Sequence, residues 1–226
     1  MHRNLMSLVL AIGICASSFT PASANGKLDE ILQKMQQAAA KVSSVKAHLG
    51  QETKDRTLGG APQTSSGNLT FSHSAKGDKL RIDYDRPSGQ VILVVGDEIK
   101  LYQPSIKQVT VTRRSKLASK NEEFAIIATP YNTGSLKQRY DVAYIGDEQV
   151  NGVAASKLEL KPKNRASSVK SLIIWVSQEV WLPLKYQVQE PDAVSTFTLS
   201  QSSLNPKLDS STFELKLPPG TSVVRP

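Results

Sequence analysis

The sequence predicts an α+β fold that is mainly β. A single curved antiparallel sheet of roughly ten strands forms an open half-barrel, closed by an N-terminal helix and a short lid helix. Three observations carry this. From Gly67 to Thr112 apolar residues alternate with polar ones, as at Leu69 and Phe71, at Leu80, Ile82 and Tyr84, and at Val109 and Val111. That period of two puts one set of side chains on a common face. Turn signals punctuate the runs at Lys76-Gly77-Asp78, Pro87-Ser88-Gly89, Gly96-Asp97 and Pro104-Ser105, and such short links make neighbouring strands antiparallel. A helical period, finally, is clear in only one place, Lys27 to Val45.

In chain order, Met1 to Asn4 carries Arg3, Leu5 to Phe19 is apolar but short for a membrane span, and Ala22-Ser23-Ala24 is a small-x-small cleavage signal. Residues 1–24 therefore read as a secretory signal peptide cleaved after Ala24, and residues 25–226 as one domain. Cys15, the only cysteine, admits two readings: the acylated cysteine of a lipoprotein, or an ordinary apolar residue of the signal. Ile14 before it disfavours the first, because lipoprotein processing needs a small residue there. The mature chain then offers no disulfide, thiolate nucleophile or cysteine metal site. In the helix, Leu28, Ile31, Leu32, Met35, Ala38, Ala39 and Val42 form the apolar stripe, with Asn25 as the expected cap.

Ala47 to Glu52 is the first strand expected, followed by a Gly59-Gly60 loop and then the strands already described. Arg113 to Lys120 is a basic loop. Asn121 to Thr129 reads as a two-turn helix, apolar at Phe124-Ala125-Ile126-Ile127-Ala128 and stopped by Pro130. A helix that short must dock on something, which makes it a lid. Tyr131 to Gln138 is a loop with room for one more helical turn. Strands resume at Tyr140 to Ile145, turn at Gly146-Asp147, and form a hairpin at Asn151-Gly152. Lys170 to Ser177 is apolar on both faces and reads as a central strand. Leu184 to Gln189, Val194 to Ser200 and Thr212 to Leu217 complete the sheet before Pro218-Pro219-Gly220, leaving Val223 and Val224 in an extended tail.

Catalytic patterns are missing from the sequence. It has no Gly-x-Ser-x-Gly, phosphate loop or zinc-type histidine pair. His48 and His73 lie far apart. Asp83 and Asp85 share the solvated face of their strand with Arg81, which neutralises them in part. These features point away from an enzyme, a metal centre or a cofactor. The net charge of +8, or +7 once Arg3 is removed, comes from clusters such as Arg113-Arg114 and Lys161 to Arg165. They lack the interleaved aromatics that stack on bases, so no nucleic-acid partner is expected. The concave apolar face is then the candidate site. It is either filled by its own side chains or open to a ligand. An apolar lid between hinge-like flanks favours a ligand with an acyl chain, each methylene of which contributes about 0.8 kcal/mol on burial.

Several stretches resemble the LolA family of periplasmic lipoprotein carriers. They are Gly67-Asn68-Leu69-Thr70-Phe71, Leu80-Arg81-Ile82-Asp83-Tyr84 with Pro87, Val94-Val95-Gly96-Asp97, Leu101-Tyr102-Gln103-Pro104 and Gln108-Val109. The helix at Phe124 to Ala128, Trp175, Leu182-Pro183 and the ending Asp209, Phe213, Leu215, Pro218-Pro219-Gly220 fit as well. The resemblance implies an open half-barrel of about eleven strands in a periplasmic, monomeric protein. Such a protein takes lipoprotein acyl chains from an inner-membrane lipoprotein-releasing transporter and hands them to an outer-membrane receptor. It also implies that Leu69, Phe71, Leu80, Ile82, Tyr84 and Leu101 face the cargo, with Phe124 and Ile127 as lid contacts. One departure stands out. Many members carry an Arg-Pro pair in the turn after the first motif strand, and that arginine latches the lid. Here the turn is Ser74-Ala75-Lys76-Gly77-Asp78, with Lys76 as the candidate replacement. The alternative is a lipid-binding or envelope-stress sensor module of the same fold, with cargo other than lipoproteins.

Overall fold

The computed structural model of the chain describes residues 22–75, 77–86, 89–113, 136–165 and 167–225. Helix α1 runs Ala22–Ala39. Leu28, Ile31 and Met35, spaced three and four apart, turn one stripe inward and are 8%, 0% and 1% exposed. On the outer side Lys34 pairs with Glu30 at 2.7 Å. The helix starts and stops earlier than its periodicity predicts. Ala22 to Ala24 are helical, so Asn25 lies inside α1 rather than at its cap. At the other end Lys41 and Val42 donate their N–H groups to Ala38 and Ala39, the tightened bonds of a terminating turn. The Val42-Ser43-Ser44-Val45 run explains the stop, since β-branched and serine residues are weak helix formers, and Ser44 already opens the first strand.

Twelve strands follow: β1 Ser44–Asp55, β2 Gln63–Ser72, β3 Lys79–Arg86, β4 Val91–Val95, β5 Glu98–Gln103, β6 Gln108–Arg113, β7 Tyr140–Val150, β8 Val153–Pro162, β9 Ser171–Ser177, β10 Pro183–Gln189, β11 Ala193–Leu204 and β12 Ser222–Val224. A one-turn helix, α2, occupies Leu136–Arg139. The strands form one open sheet in the order β12-β6-β5-β4-β3-β2-β1-β11-β10-β9-β8-β7. All pairings are antiparallel except that of β12 with β6, which is parallel. β12 lies where the sequence predicts only an extended tail at Val223 and Val224.

The burial pattern requires the sheet to curve. Twelve strands spaced about 4.8 Å apart would span roughly 50 Å if flat, whereas a helix is only about 10 Å across. Yet a single apolar cluster joins α1 to inner residues of β1–β5 and of β8–β11. Only a sheet wrapped around the helix brings both halves to it.

Two local expectations are corrected. Gly146-Asp147 is not a turn: β7 continues through it, with a bulge between Tyr144 and Gly146 where Gly146 takes φ 123°. The hairpin turn is at Asn151 and Gly152, whose φ values of 51° and 81° suit a type I′ turn. Thr212 to Leu217 is not a strand either; a 3₁₀ turn spans Ser210–Phe213 and irregular chain follows. The carbonyls of Thr212 and Glu214 accept hydrogen bonds from Arg81 at 3.3 and 2.9 Å instead of joining a ladder. Arg81 also forks onto Asp83 at 2.7 and 2.8 Å, so it neutralises that carboxylate as expected while holding the C-terminal segment.

β9 is buried on both faces, as its composition implies. Its outer residue Trp175 forms a small second cluster with Val150 and Ala155, beneath the ammonium groups of Lys157 and Lys185 at 5.0 and 4.3 Å from the ring. The basic loop after Arg113 and the lid helix Asn121 to Thr129, with Phe124 and Ile127, lie outside the described residues, as does Lys76.

Candidate apolar binding face

Cross-strand register builds the site. Residues directly opposite one another share a face. Ala47 of β1 faces Leu69 of β2, Leu69 faces Ile82 of β3, Ile82 faces Ile92 of β4, and Ile92 faces Leu101 of β5. A second row runs Val45, Phe71, Leu80, Val94, Ile99 across the same strands. Five strands make each row roughly 19 Å long. The face thus unites five of the eight expected residues, Leu69, Phe71, Leu80, Ile82 and Leu101. Tyr84 lies one pair further along, opposite Gly67.

At Gly67 β2 lies close against the backbone of β3. A β-carbon there would press on the carbonyl oxygen of Asp83 and lie 2.8 Å from Tyr84 Cα. Glycine is therefore the residue that lets β2 lie against the bulge at Asp85 of β3, where Ser66 and Gly67 face Arg86 and Tyr84, and keep Leu69 in register with Ile82.

The face is covered. Leu69, Phe71 and Leu80 are 1% exposed, Ile82 0% and Tyr84 8%. At 0–1% no water-sized space touches the first four, so in this state a ligand enters only by displacing what lies over them. Leu101, at the end of its row, is half-buried. Among the described residues, the α1 stripe of Leu28, Ile31 and Met35 and the inner residues of β8–β11 share one buried cluster with the two rows. Two clefts lined by described residues lie elsewhere. One, of about 590 Å³, is lined by Val95, Asp97, Glu98, Val111, Thr112, Arg113 and Arg225. The other, of about 440 Å³, runs beside α1 at Lys34, Lys41 and Trp181. Neither is lined by a residue of the two rows.

The other half of the sheet carries a matching set that the family resemblance did not single out. Leu158 and Leu160 of β8, Leu172, Ile174 and Val176 of β9, Tyr186 and Val188 of β10, and Phe197 and Leu199 of β11 join the same cluster. Alternation on β8 and β9 was the signal available for them.

Polarity changes along the face. On β1 the inner residues Val45, Ala47 and Leu49 give way to Gln51 and Thr53. Tyr84 donates its hydroxyl to Gln51 Oε1 at 2.7 Å, and the hydroxyls of Thr53 and the buried Ser195 lie 3.2 Å apart. One end of an apolar face is thus bounded by paired amide and hydroxyl groups.

Chemical groups elsewhere do not assemble into a reactive constellation. His73 Nδ1 lies 2.5 Å from Asp78 Oδ1 in the β2–β3 turn, while His48 sits on β1 between Ser200 of β11 and Asn68 of β2. Among the described residues no three His, Cys, Asp or Glu side chains are grouped as metal ligands. Burial shifts the acidity of two groups. Burial first, and then the Asp147 carboxylate, raise the Tyr144 phenol above its ordinary value. Burial and then nearby Asp192 raise the Glu190 carboxyl.

A curved sheet wrapping one amphipathic helix, with two continuous hydrocarbon rows and no reactive constellation among the described residues, defines a fold with a continuous apolar inner face. Comparison with known proteins agrees. Residues 40–216 match the family model described as "Outer membrane lipoprotein carrier protein LolA", so the chain belongs to the LolA family. A relative from Bordetella avium (strain 197N), named outer-membrane lipoprotein carrier protein, is 25% identical over 226 residues and covers 100% of both chains. Among solved structures, an uncharacterised conserved protein from Thermus thermophilus superposes with TM-score 0.58 at 12% identity, covering 88% of this chain and 99% of that one. The Mycobacterium tuberculosis lipoprotein LppX gives TM-score 0.51 at 14% identity, covering 82% and 100%. At such identities these two show the fold.

Proposed function

We propose that this protein is a periplasmic carrier that binds lipoprotein acyl chains on the inner face of its half-barrel and moves them from the inner to the outer membrane. It acts by binding rather than by catalysis. The observation that carries this reading is the pair of unbroken hydrocarbon rows, Ala47 to Leu101 and Val45 to Ile99, in one buried cluster with a single amphipathic helix. Cover and cargo compete for the same surface: α1 rests on it between deliveries and lifts to admit a chain, which Phe124 and Ile127 then contact. An inner-membrane lipoprotein-releasing transporter supplies the cargo and an outer-membrane receptor removes it. Export through a signal peptide cleaved after Ala24 would shorten α1 by its first three residues, and the mass of the exported protein tests that.

The carrier reading is tested by native mass spectrometry of the protein purified from its own periplasm, with lipid adducts identified after solvent extraction. Leu101→Asp and Ile127→Glu are expected to lose acyl adducts while keeping the β-sheet circular dichroism of the parent. Leu101 suits the purpose because it is half-buried; a charge at Leu80, 1% exposed, would strike the fold itself. Undiminished adducts in both variants would remove the rows as the binding face. The Ser74 to Asp78 turn, which lacks the family's latching arginine, favours one second reading, a sensor of misplaced lipids. Adducts of free lipid with no lipoprotein among them would support it.

A further inference from the structure

The chain finishes the two edges of its sheet differently. At one edge β12 lies along β6, pairing Ser222 to Val224 with Gln108 to Thr110. At the other, β7 runs for 11 residues and, among the described residues, pairs only with β8.

One hydrogen bond orients the backbone of that outer edge. The N–H of Lys163 donates to the carbonyl of Arg139 at 2.9 Å, bracketing the partners Tyr140 and Pro162. Antiparallel partners bracketed in this way do not bond each other, and the alternation continues along the strand. Val142 and Tyr144 therefore turn their N–H and C=O groups away from β8, while Asp141 and Ala143 bond to it. Pro162 fits the arrangement, having no N–H to offer Tyr140.

The side chains at these positions are incompletely covered. Val142 and Tyr144 point into the apolar cluster but are only half-buried, whereas their β8 partners Leu160 and Leu158 are 0% exposed. A further strand along this edge would bond the outward backbone groups and cover both side chains at once.

Charge selects the occupant. Tyr140–Val150 contains Asp141, Asp147 and Glu148 and no lysine or arginine, in a chain of net charge +8. Lys157 approaches Glu148 at 3.1 Å and Lys163 approaches Asp141 at 3.7 Å, but the Asp141 side chain remains 76% exposed. A second copy of β7 would bring a second set of acids against the first. A basic segment would not.

We propose that β7 accepts, by strand addition, an extended segment of a partner protein in which basic residues alternate with apolar ones. The inference does not rest on the acyl-chain reading, because neither Val142 nor Tyr144 belongs to the two hydrocarbon rows.

Hydrogen exchange tests it with two synthetic peptides, one alternating lysine and valine, the other glutamate and valine. The lysine peptide is expected to protect the amides of Val142 and Tyr144. Val142→Pro is expected to abolish that protection while keeping the parent's circular dichroism and melting temperature, since an edge proline whose N–H faces out leaves the β8 ladder intact. Asp141→Lys is expected to weaken binding at least about fivefold, by an amount that shrinks in high salt. Should Val142→Pro fail to fold, Asp141→Lys decides alone. Leu101→Asp, which tests the acyl-chain face, should leave peptide protection unchanged. The proposal is overturned if neither peptide protects the edge, if the glutamate peptide protects equally, or if folded Val142→Pro binds like the parent. It is equally overturned if the edge proves to be occupied by a second copy, seen as a dimer in sedimentation that Val142→Pro dissociates.

Discussion

Ile31→Ala tests whether α1 yields its place to a ligand. Ile31 is 0% exposed at the centre of the stripe, and truncating such a residue costs about 2–5 kcal/mol. Leu28, Ile31 and Met35, at about 1.5–3 kcal/mol each, hold the helix down with roughly 5–9 kcal/mol. An acyl chain of roughly fifteen methylenes gains about 12 kcal/mol on burial, at about 0.8 kcal/mol each. Cargo therefore outcompetes the cover, and a weakened cover should help it. If α1 must lift first, apparent affinity scales with the fraction of molecules already open. A cover weakened by about 2–5 kcal/mol then raises affinity by about thirty-fold to a few thousand-fold, until the open form dominates. Melting of the ligand-free variant should fall at the same time. Delipidated parent and variant would be compared by calorimetric melting and by titration with a fluorescent C16 fatty acid. Lower melting with tighter binding is the expected pair. Affinity that falls in step with stability would refute the competition, since Ile31 would then support the bound state.

Gly67→Ala should destabilise the protein by about 2–4 kcal/mol in urea unfolding, because its methyl meets β3 backbone that cannot move aside; wild-type stability would show that the bulge is not tight. Arg81→Ala should leave melting nearly unchanged yet speed proteolysis and amide exchange within residues 206–221, where Arg81 holds the carbonyls of Thr212 and Glu214; equal protection would assign the anchoring elsewhere. Glu190 gives a pH signature. Its carboxyl is raised above the ordinary 4.5, chiefly by burial. A raised folded-state value means its contribution is intact below the unfolded value and is lost as pH rises through the folded one. Glu190→Gln should therefore melt higher than the parent at pH 7 and like it below about pH 4; a gain independent of pH would exclude ionisation as the cause.

Where local pattern and turn chemistry act together, the chain is readable from its residues. β2, β3 and β5 follow from alternation plus glycine, proline and aspartate turns, and those two signals also place Leu69, Ile82 and Leu101 on one face; β4 is a continuous apolar run, Val91–Val95, marked off only by the turns around it. Other features depend on partners distant in sequence. The 3₁₀ turn at Ser210–Phe213 replaces an apparent strand because Arg81, far back in the chain, takes up its carbonyls. Val223 and Val224 become a strand only because β6 leaves an edge for them. Periodicity carries α1 too far because Val42 and Val45 are apolar at a helical spacing, and both are in fact buried beyond the helix, in the turn and in β1. Alternation reports which side a residue faces. It is silent on what lies above it, so the coverage of Leu80 and Phe71 emerges only once the chain is folded.

The amide and hydroxyl groups at Gln51, Thr53, Tyr84 and Ser195 would make the inner face a ruler. A hydrocarbon tail lying along β1 gains contact with each added carbon past Val45, Ala47 and Leu49. Beyond Leu49 the next carbon would have to part the Tyr84–Gln51 bond and the Thr53–Ser195 contact. Affinity plotted against tail length should therefore climb, then flatten, and the break would mark how deep the face runs.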